Sequence, residues 1–206
     1  MATVRPYHHG DLRTALLRAA EILISEVGPS AFTLREVARR AGVSHNAPYR
    51  HFKSRQDLLL AVAAEGLERL RATMSERMEC SDSPRERLVL CGYGYVEFAL
   101  RWPQHFIVMF DLAGLRHEER EGKRVPSIAF QVLLDAITAS QQAGVLPPGD
   151  PLPLAWTAWS MVHGIAKLAA GGNLAPDQAT LLNFTRRATE CIAWGMERYG
   201  KEFGAG

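Results

Sequence analysis

The chain has 206 residues, 47% of them apolar and 22% charged, an ordinary globular composition that excludes a disordered or fibrous chain. No apolar run reaches the ~18 residues that a membrane-spanning helix requires. The N-terminal MATVRPYHHGDLR lacks the apolar core of a signal peptide, so a cytoplasmic location with no membrane partner is expected. The net charge of +2 conceals an asymmetry: residues 1–60 hold 9 Lys/Arg against 5 Asp/Glu, and the remainder hold 15 against 17. A basic module on a mildly acidic body directs the small end toward a polyanion. Cys80, Cys91 and Cys191 are too few and too scattered for a disulfide framework or a zinc site. They read as free buried thiols, and no metal and no cofactor are expected.

Helical periodicity runs along the whole chain. Leu12, Leu16, Ala19, Leu23 and Val27 recur at three- and four-residue spacing, the apolar face of a helix that Gly28-Pro29 ends. Thr33-Leu34-Arg35-Glu36 is a capping box opening a second helix to about Ala41. Gly42-Val43-Ser44 supplies a left-handed turn, a buried apolar residue and an N-cap for a short third helix, about His45–His51. Ser54-Arg55-Gln56-Asp57 resembles another box, ahead of a long helix through Leu59, Val62, Leu67, Leu70 and Met74.

Ser83-Pro84-Arg85-Glu86 opens a helix to Trp102 with proline at its favoured first position. A shorter one starts at Pro103. The charged run His117–Arg124 reads as an exposed loop, followed by a helix from about Pro126 to Ala143. Leu154–Ala170 is apolar nearly all round, and a last helix spans about Pro176–Tyr199. The expected architecture is all-α, with about nine helices and no sheet.

Two short helices joined by a tight glycine turn, the second one polar and aromatic, make a helix-turn-helix over about residues 33–52. A plain helical hairpin in a bundle shares most of this pattern, but the third helix is too polar for a core, and the basic excess lies here. Val37, Ala38 and Val43 would brace the pair, while His45, Asn46 and Tyr49 face outward to base edges or phosphates. Thr33 and Arg35 sit at a helix start, where free N–H groups and the dipole favour phosphate. Lys53 and Arg55 would add contacts to the DNA backbone.

The run FTLREVARRAGVSHNAPYRHFKSRQDLLLAV, Phe32 to Val62, resembles the DNA-binding region of the tetracycline-repressor (TetR) family of transcriptional regulators. With Asp11–Gly28 as first helix, the resemblance covers about the first seventy residues. It implies a DNA-binding domain over 9–70 and a C-terminal effector-binding and dimerisation domain over 71–206. It also implies a homodimer that binds a double-stranded, pseudo-palindromic operator and releases it when a small, largely apolar effector enters the C-terminal domain. Carried over position by position, the DNA-contacting residues are Thr33, Arg35, His45, Asn46, Tyr49, His51 and Lys53, and Phe52 packs inward. Pro48 departs from the family pattern, where a leucine or similar residue precedes the tyrosine. It removes an N–H and disfavours helical geometry at Ala47, so the recognition helix is expected to open with a distorted or 3-10-like turn and to be regular at Tyr49.

Trp159-Ser160-Met161-Val162-His163-Gly164 resembles a Trp-x-x-x-His-Gly signature of one subgroup. His163 is either a satisfied core histidine or a ligand-sensing donor. Phe98, Trp102, Phe106, Phe110 and Trp159, with Tyr95 and Trp156, either line an effector cavity or fill a core. The last two helices are the dimer surface by resemblance, and an aspartate at Ala166 or Ile192 would bury an unpaired charge if those positions face the partner. The arm Arg5–His9 is either a minor-groove arm or a frayed terminus. No H-E-x-x-H, P-loop, G-x-S-x-G or Cys/His constellation occurs, so an enzyme built on His163 is the weaker reading and no catalytic residue is assigned.

Overall fold

Apolar spacing and capping residues divide the chain into helices that gather into two compact units. The computed structural model describes residues 9–112, 119–120, 123–124, 127–174 and 177–203. The described part of the first unit covers residues 9–66 and the segment from Gln104 to 112. α1 (His9–Val27) buries Leu12, Leu16, Ala20, Leu23 and Ile24 and ends where Gly28 turns at φ 80°. α2 (Leu34–Arg40) turns Leu34, Val37 and Ala38 inward. α3 (Arg55–Met78) starts in this unit with Leu58, Leu59, Val62 and Ala63 buried.

α4 (Pro84–Arg101) belongs to the second unit, and α5 (Pro103–Ile107) runs into a π turn (Val108–Leu112) that returns to the first unit's core. Gly66 permits that return, because a Cβ there would lie 2.5 Å from Met109 Sδ and 3.0 Å from His105 Cβ. His105 is buried, with Nε2 3.5 Å from Glu21 Oε1.

The second unit is built around α4, against which α6 (Ile128–Gln142), α7 (Pro151–Ala170) and α8 (Gln178–Phe203) pack. Two glycines set the distances. A Cβ on Gly92 would meet Thr189 Cγ2 at 2.7 Å and Val162 Cγ1 at 3.2 Å, so α7 and α8 close onto that side. A Cβ on Gly94 would meet the α3 backbone at Met74 Cα, 3.0 Å away. Arg77 reaches Glu97 with Nε 2.6 Å from Oε2, a partly buried pair that holds the guanidinium protonated. Arg186 on α8 binds Glu86 at 2.6 Å, tying the start of α4 to a residue a hundred positions away.

Several details depart from expectation. Eight α-helices and one 3-10 turn stand among the described residues where nine helices are expected, because residues 45–51 form no α-helix. Within the His117–Arg124 run, β1 (Glu119–Arg120) and β2 (Lys123–Arg124) pair antiparallel instead of forming plain loop. α7 begins at Pro151, three residues early, because Asp150 caps it through Leu152 N at 3.0 Å. Of the cysteines only Cys91 is buried, which pushes its thiol up to about 12, and Cys80 and Cys191 are exposed. Ala166 is buried within its own subunit, so it cannot face a partner. The expected arm Arg5–Tyr7-His8 lies outside the described residues, and of His9 only the backbone is described. No helix among the described residues is long and apolar enough to cross a membrane.

Candidate functional site

The start of α2 is fixed by a reciprocal cap. Glu36 N donates to Thr33 Oγ1 at 3.3 Å, and Thr33 N donates to Glu36 Oε2 at 2.7 Å. The Thr33 hydroxyl also donates to that carboxylate at 2.9 Å. These hydrogen bonds, led by the hydroxyl, hold the Glu36 carboxyl below its ordinary range. An ionised carboxylate therefore occupies the helix start where free N–H groups were expected to draw phosphate. Thr33 and Arg35 remain exposed, and phosphate contact there falls to their side chains.

α2 ends in a Schellman turn: Val43 N bonds Ala38 O at 3.0 Å and Gly42 N bonds Arg39 O at 3.3 Å, with Gly42 at φ 69°. The following segment is the main correction. Ala47 N bonds Ser44 O at 2.9 Å, Arg50 N bonds Ala47 O at 3.2 Å, and His51 N bonds Pro48 O at 2.9 Å, all three residues apart. Only Pro48–Arg50 qualifies as helix, and it is 3-10. Tyr49 thus stands inside the tight turn rather than in a regular α-helix beyond it. Ala47 does keep helical dihedrals, φ −60° and ψ −41°, against the expectation that the proline would displace it. Ser44 is not the cap, since Ala47 holds that position without a side-chain bond.

The turn nonetheless divides its residues into two sets. Pro48 and Phe52 are buried with Phe32, Leu34 and Val37, and Arg13 covers the Phe52 ring at 5.7 Å. His45, Asn46, Tyr49, His51 and Lys53 are exposed, Tyr49 by 51%. Thr33, Tyr49 and Lys53 come together around one open concavity of about 430 Å³, also lined by Phe32, Leu34, Ser54, Arg55 and Gln56. Arg55 differs from expectation: its guanidinium donates to the carbonyls of Ser30 and, at 3.4 Å, Phe32. It braces the α3 start against the preceding loop. The second box is partial, with Asp57 N on Ser54 Oγ at 3.1 Å and the Asp57 carboxylate on Lys53 N at 3.0 Å.

The aromatic residues proposed for an effector are distributed over the two units. Phe106 is buried beside Phe110 in the first unit, with ring centroids 5.0 Å apart. In the second unit Phe98 is buried against Trp102 at 5.6 Å, and Arg69 and Arg101 lie 5.5 and 4.6 Å from the Trp102 centroid. Trp159 and His163 form another group there, one helical turn apart with rings 5.4 Å from each other, and Phe130 meets Trp159 edge-on at 6.1 Å. Tyr95 completes it with its hydroxyl 2.8 Å from His163 Nδ1. Tyr95 was open between lining an effector cavity and filling a core, and nothing in the sequence pairs it with a histidine 68 positions away.

Residues 16–62 match the family described as "Bacterial regulatory proteins, tetR family", and residues 88–189 match the "Tetracyclin repressor-like, C-terminal domain". The HTH-type transcriptional regulator BetI of Rhizobium meliloti is 38% identical over 76 residues, 37% of each chain. The HTH-type transcriptional repressor KstR2 of Mycolicibacterium smegmatis is 30% identical over 88 residues, 43% of each chain. The chain thus matches under half the length of these two curated relatives. A solved structure of a protein of unknown function from Rhodococcus sp. RHA1 is 33% identical, with a TM-score of 0.77 over 94% of this chain and 100% of that one. FadR from Bacillus subtilis, solved in complex with stearoyl-CoA, shares the fold at 19% identity, with a TM-score of 0.71 over 88% of this chain and 98% of that one. Matched in both its helix-turn-helix and its C-terminal region, the chain belongs to the TetR family of bacterial regulatory proteins.

Proposed function

We propose that this chain is a sequence-specific transcriptional regulator, a ligand-responsive repressor that binds a pseudo-palindromic DNA operator as a homodimer. The observation that carries the reading is the two-sided 33–53 surface. Pro48 and Phe52 anchor it to the core while Thr33, Arg35, His45, Asn46, Tyr49, His51 and Lys53 stand exposed on a basic module. In this reading the hydroxyls, amide and imidazoles reach base edges or phosphates, and Lys53 and Arg35 neutralise phosphate charge.

α7 and α8 support the dimer. Trp156, Leu168, Phe184 and Trp194 are exposed on these helices, an apolar surface that a second copy would cover. Gly164 and Gly195 add a sharper argument. Each costs its helix about 1 kcal/mol relative to alanine. Yet a Cβ at either would meet nothing within 4 Å in its own subunit. A close helix from a partner gives both glycines a reason. Effector control would operate by favouring a conformer with the wrong separation of the two recognition turns, within the limit of the ligand's differential affinity for the two states. The aromatic cluster around Trp159 and His163, and the fold shared with the stearoyl-CoA complex of FadR, support a mostly apolar effector in the C-terminal domain.

The test is equilibrium DNA affinity against salt. Log affinity falls linearly with log salt for the wild type, and Lys53→Ala lowers the slope by about one unit while weakening all sequences alike. A flat wild-type dependence contradicts the proposal.

A further inference from the structure

Glu21 on α1, Glu65 on α3 and His105 on α5 come from three helices of the first unit, and their ligand atoms all lie within 4.8 Å of one another. Nothing in their sequence spacing announces the set. Gly66 assembles it: the His105 Cβ comes to 3.0 Å from where a Cβ beside Glu65 would stand, and the imidazole reaches both glutamates. His105 is 1% exposed and the glutamates are half-buried, so this is no solvated acidic patch.

Charge and distance both favour a cation. Two carboxylates this close repel each other in a partly desolvated place. A proton on the imidazole leaves two ionised carboxylates with one negative charge in excess, whereas a divalent ion beside a neutral imidazole leaves none. His105 Nε2 lies 3.5 Å from Glu21 Oε1. That is longer than a charge-assisted hydrogen bond, about 2.7–2.9 Å. It matches the roughly 3.4 Å between two ligands of a tetrahedral zinc ion, each about 2.1 Å from the metal. All three side chains make other interactions as well, so binding is an exchange whose gain is the neutralisation of both carboxylates at once.

We propose that Glu21, Glu65 and His105 form a site for a divalent transition metal of the zinc class, with water as fourth ligand, that pins the α5 segment to α1 and α3. One buried imidazole with two carboxylate oxygens suits zinc, whose open sites hold three protein ligands and a water. It is a poor match for the all-oxygen shells of magnesium and calcium. In the unfolded chain three residues so far apart in sequence do not converge. The ion therefore binds the folded unit in preference and stabilises it by mass action. None of the three is among the residues assigned to DNA, so the site stands apart from the reading above.

The experiment is calorimetric titration of the full, chelator-treated chain with zinc, beside X-ray absorption of the zinc-loaded protein. The wild type binds zinc, its melting temperature rises with zinc concentration, and the absorption shows one imidazole among oxygen ligands. Glu21→Gln and Glu65→Gln, isosteric changes at half-buried positions, each weaken zinc binding by at least about tenfold, the scale on which even outer-shell partners act. Replacing the adjacent pair His8 and His9 by alanine leaves that binding unchanged. Circular dichroism checks the fold of each variant, and the wild-type ligand shell is readable without any of them. Absence of zinc binding overturns the site. So does a shell with two or more imidazoles, or an affinity that both glutamine variants retain. Competition by magnesium at equal concentration overturns the metal class.

Discussion

Gly94→Leu lowers the stability of the second unit by about 3 kcal/mol, the upper end of the usual cost of overpacking. The new Cβ would sit 3.0 Å from Met74 Cα, 3.1 Å from Thr73 O and 3.3 Å from Met74 N. All three are backbone atoms of α3, which cannot swing aside as a side chain can. Relief requires α3 and α4 to part, and that strains the partly buried Arg77–Glu97 pair joining the same helices. In a chain of this size the loss lowers the melting temperature by roughly 6–12 °C. Gly92→Ala is the milder comparison, because its obstacles are the side chains of Thr189 and Val162. Differential scanning calorimetry of the two variants checks the ranking, and equal melting temperatures for Gly94→Leu and wild type refute it.

Trp194→Asp separates folding from assembly. In the isolated subunit Trp194 is 53% exposed, with Arg198 5.4 Å from its ring centroid, so an aspartate there disturbs no core. In a dimer built on α7 and α8 the same aspartate is a buried, unpaired charge. The variant sediments as a monomer with unchanged helical circular dichroism. Its operator affinity falls by about 10²–10⁴, because two half-sites are no longer engaged by one linked particle. Sedimentation equilibrium beside a DNA titration reads both effects, and a stable dimer with full affinity contradicts an α7–α8 interface.

What was legible beforehand was local. The Thr33–Glu36 box, the Ser83 cap with Pro84, and the left-handed turn at Gly42 each depend on residues three or four apart, and each forms as the pattern requires. Pro48 shows where local reasoning stops. Its missing N–H was expected to disturb the first turn only. Few residues separate the Gly42 turn from Ser54, however, and no regular turn is regained before α3 begins. The chain instead keeps helical dihedrals at Ala47 and tightens the hydrogen bonding to three residues as far as His51, with one four-residue bond from Phe52 N to Pro48 O at 2.9 Å. The proline itself becomes a core residue, which its position in a polar segment did not suggest.

Long-range partners were not legible at all. Ser83-Pro84-Arg85-Glu86 reads as a full capping box, yet the Glu86 carboxylate pairs with Arg186 from the far end of the chain. Whether Ala166 faces a partner or its own subunit is not written in the sequence, because α7 is apolar on most sides and apolarity alone cannot say which side meets α4. Arg55 looked like a phosphate ligand until its guanidinium was found on the Ser30 and Phe32 carbonyls. In each case the residue type was read correctly and its partner was supplied by packing.

The central claim is that the exposed 33–53 surface, presented twice by a dimer, reads DNA sequence. Selection of bound fragments from a random-sequence DNA pool by the wild-type chain tests it most directly. The account predicts enrichment of an inverted repeat whose half-site centres lie one turn, about 34–36 Å, or a multiple of it apart. A bound pool no different from the starting one, or a single unrepeated element, would contradict it.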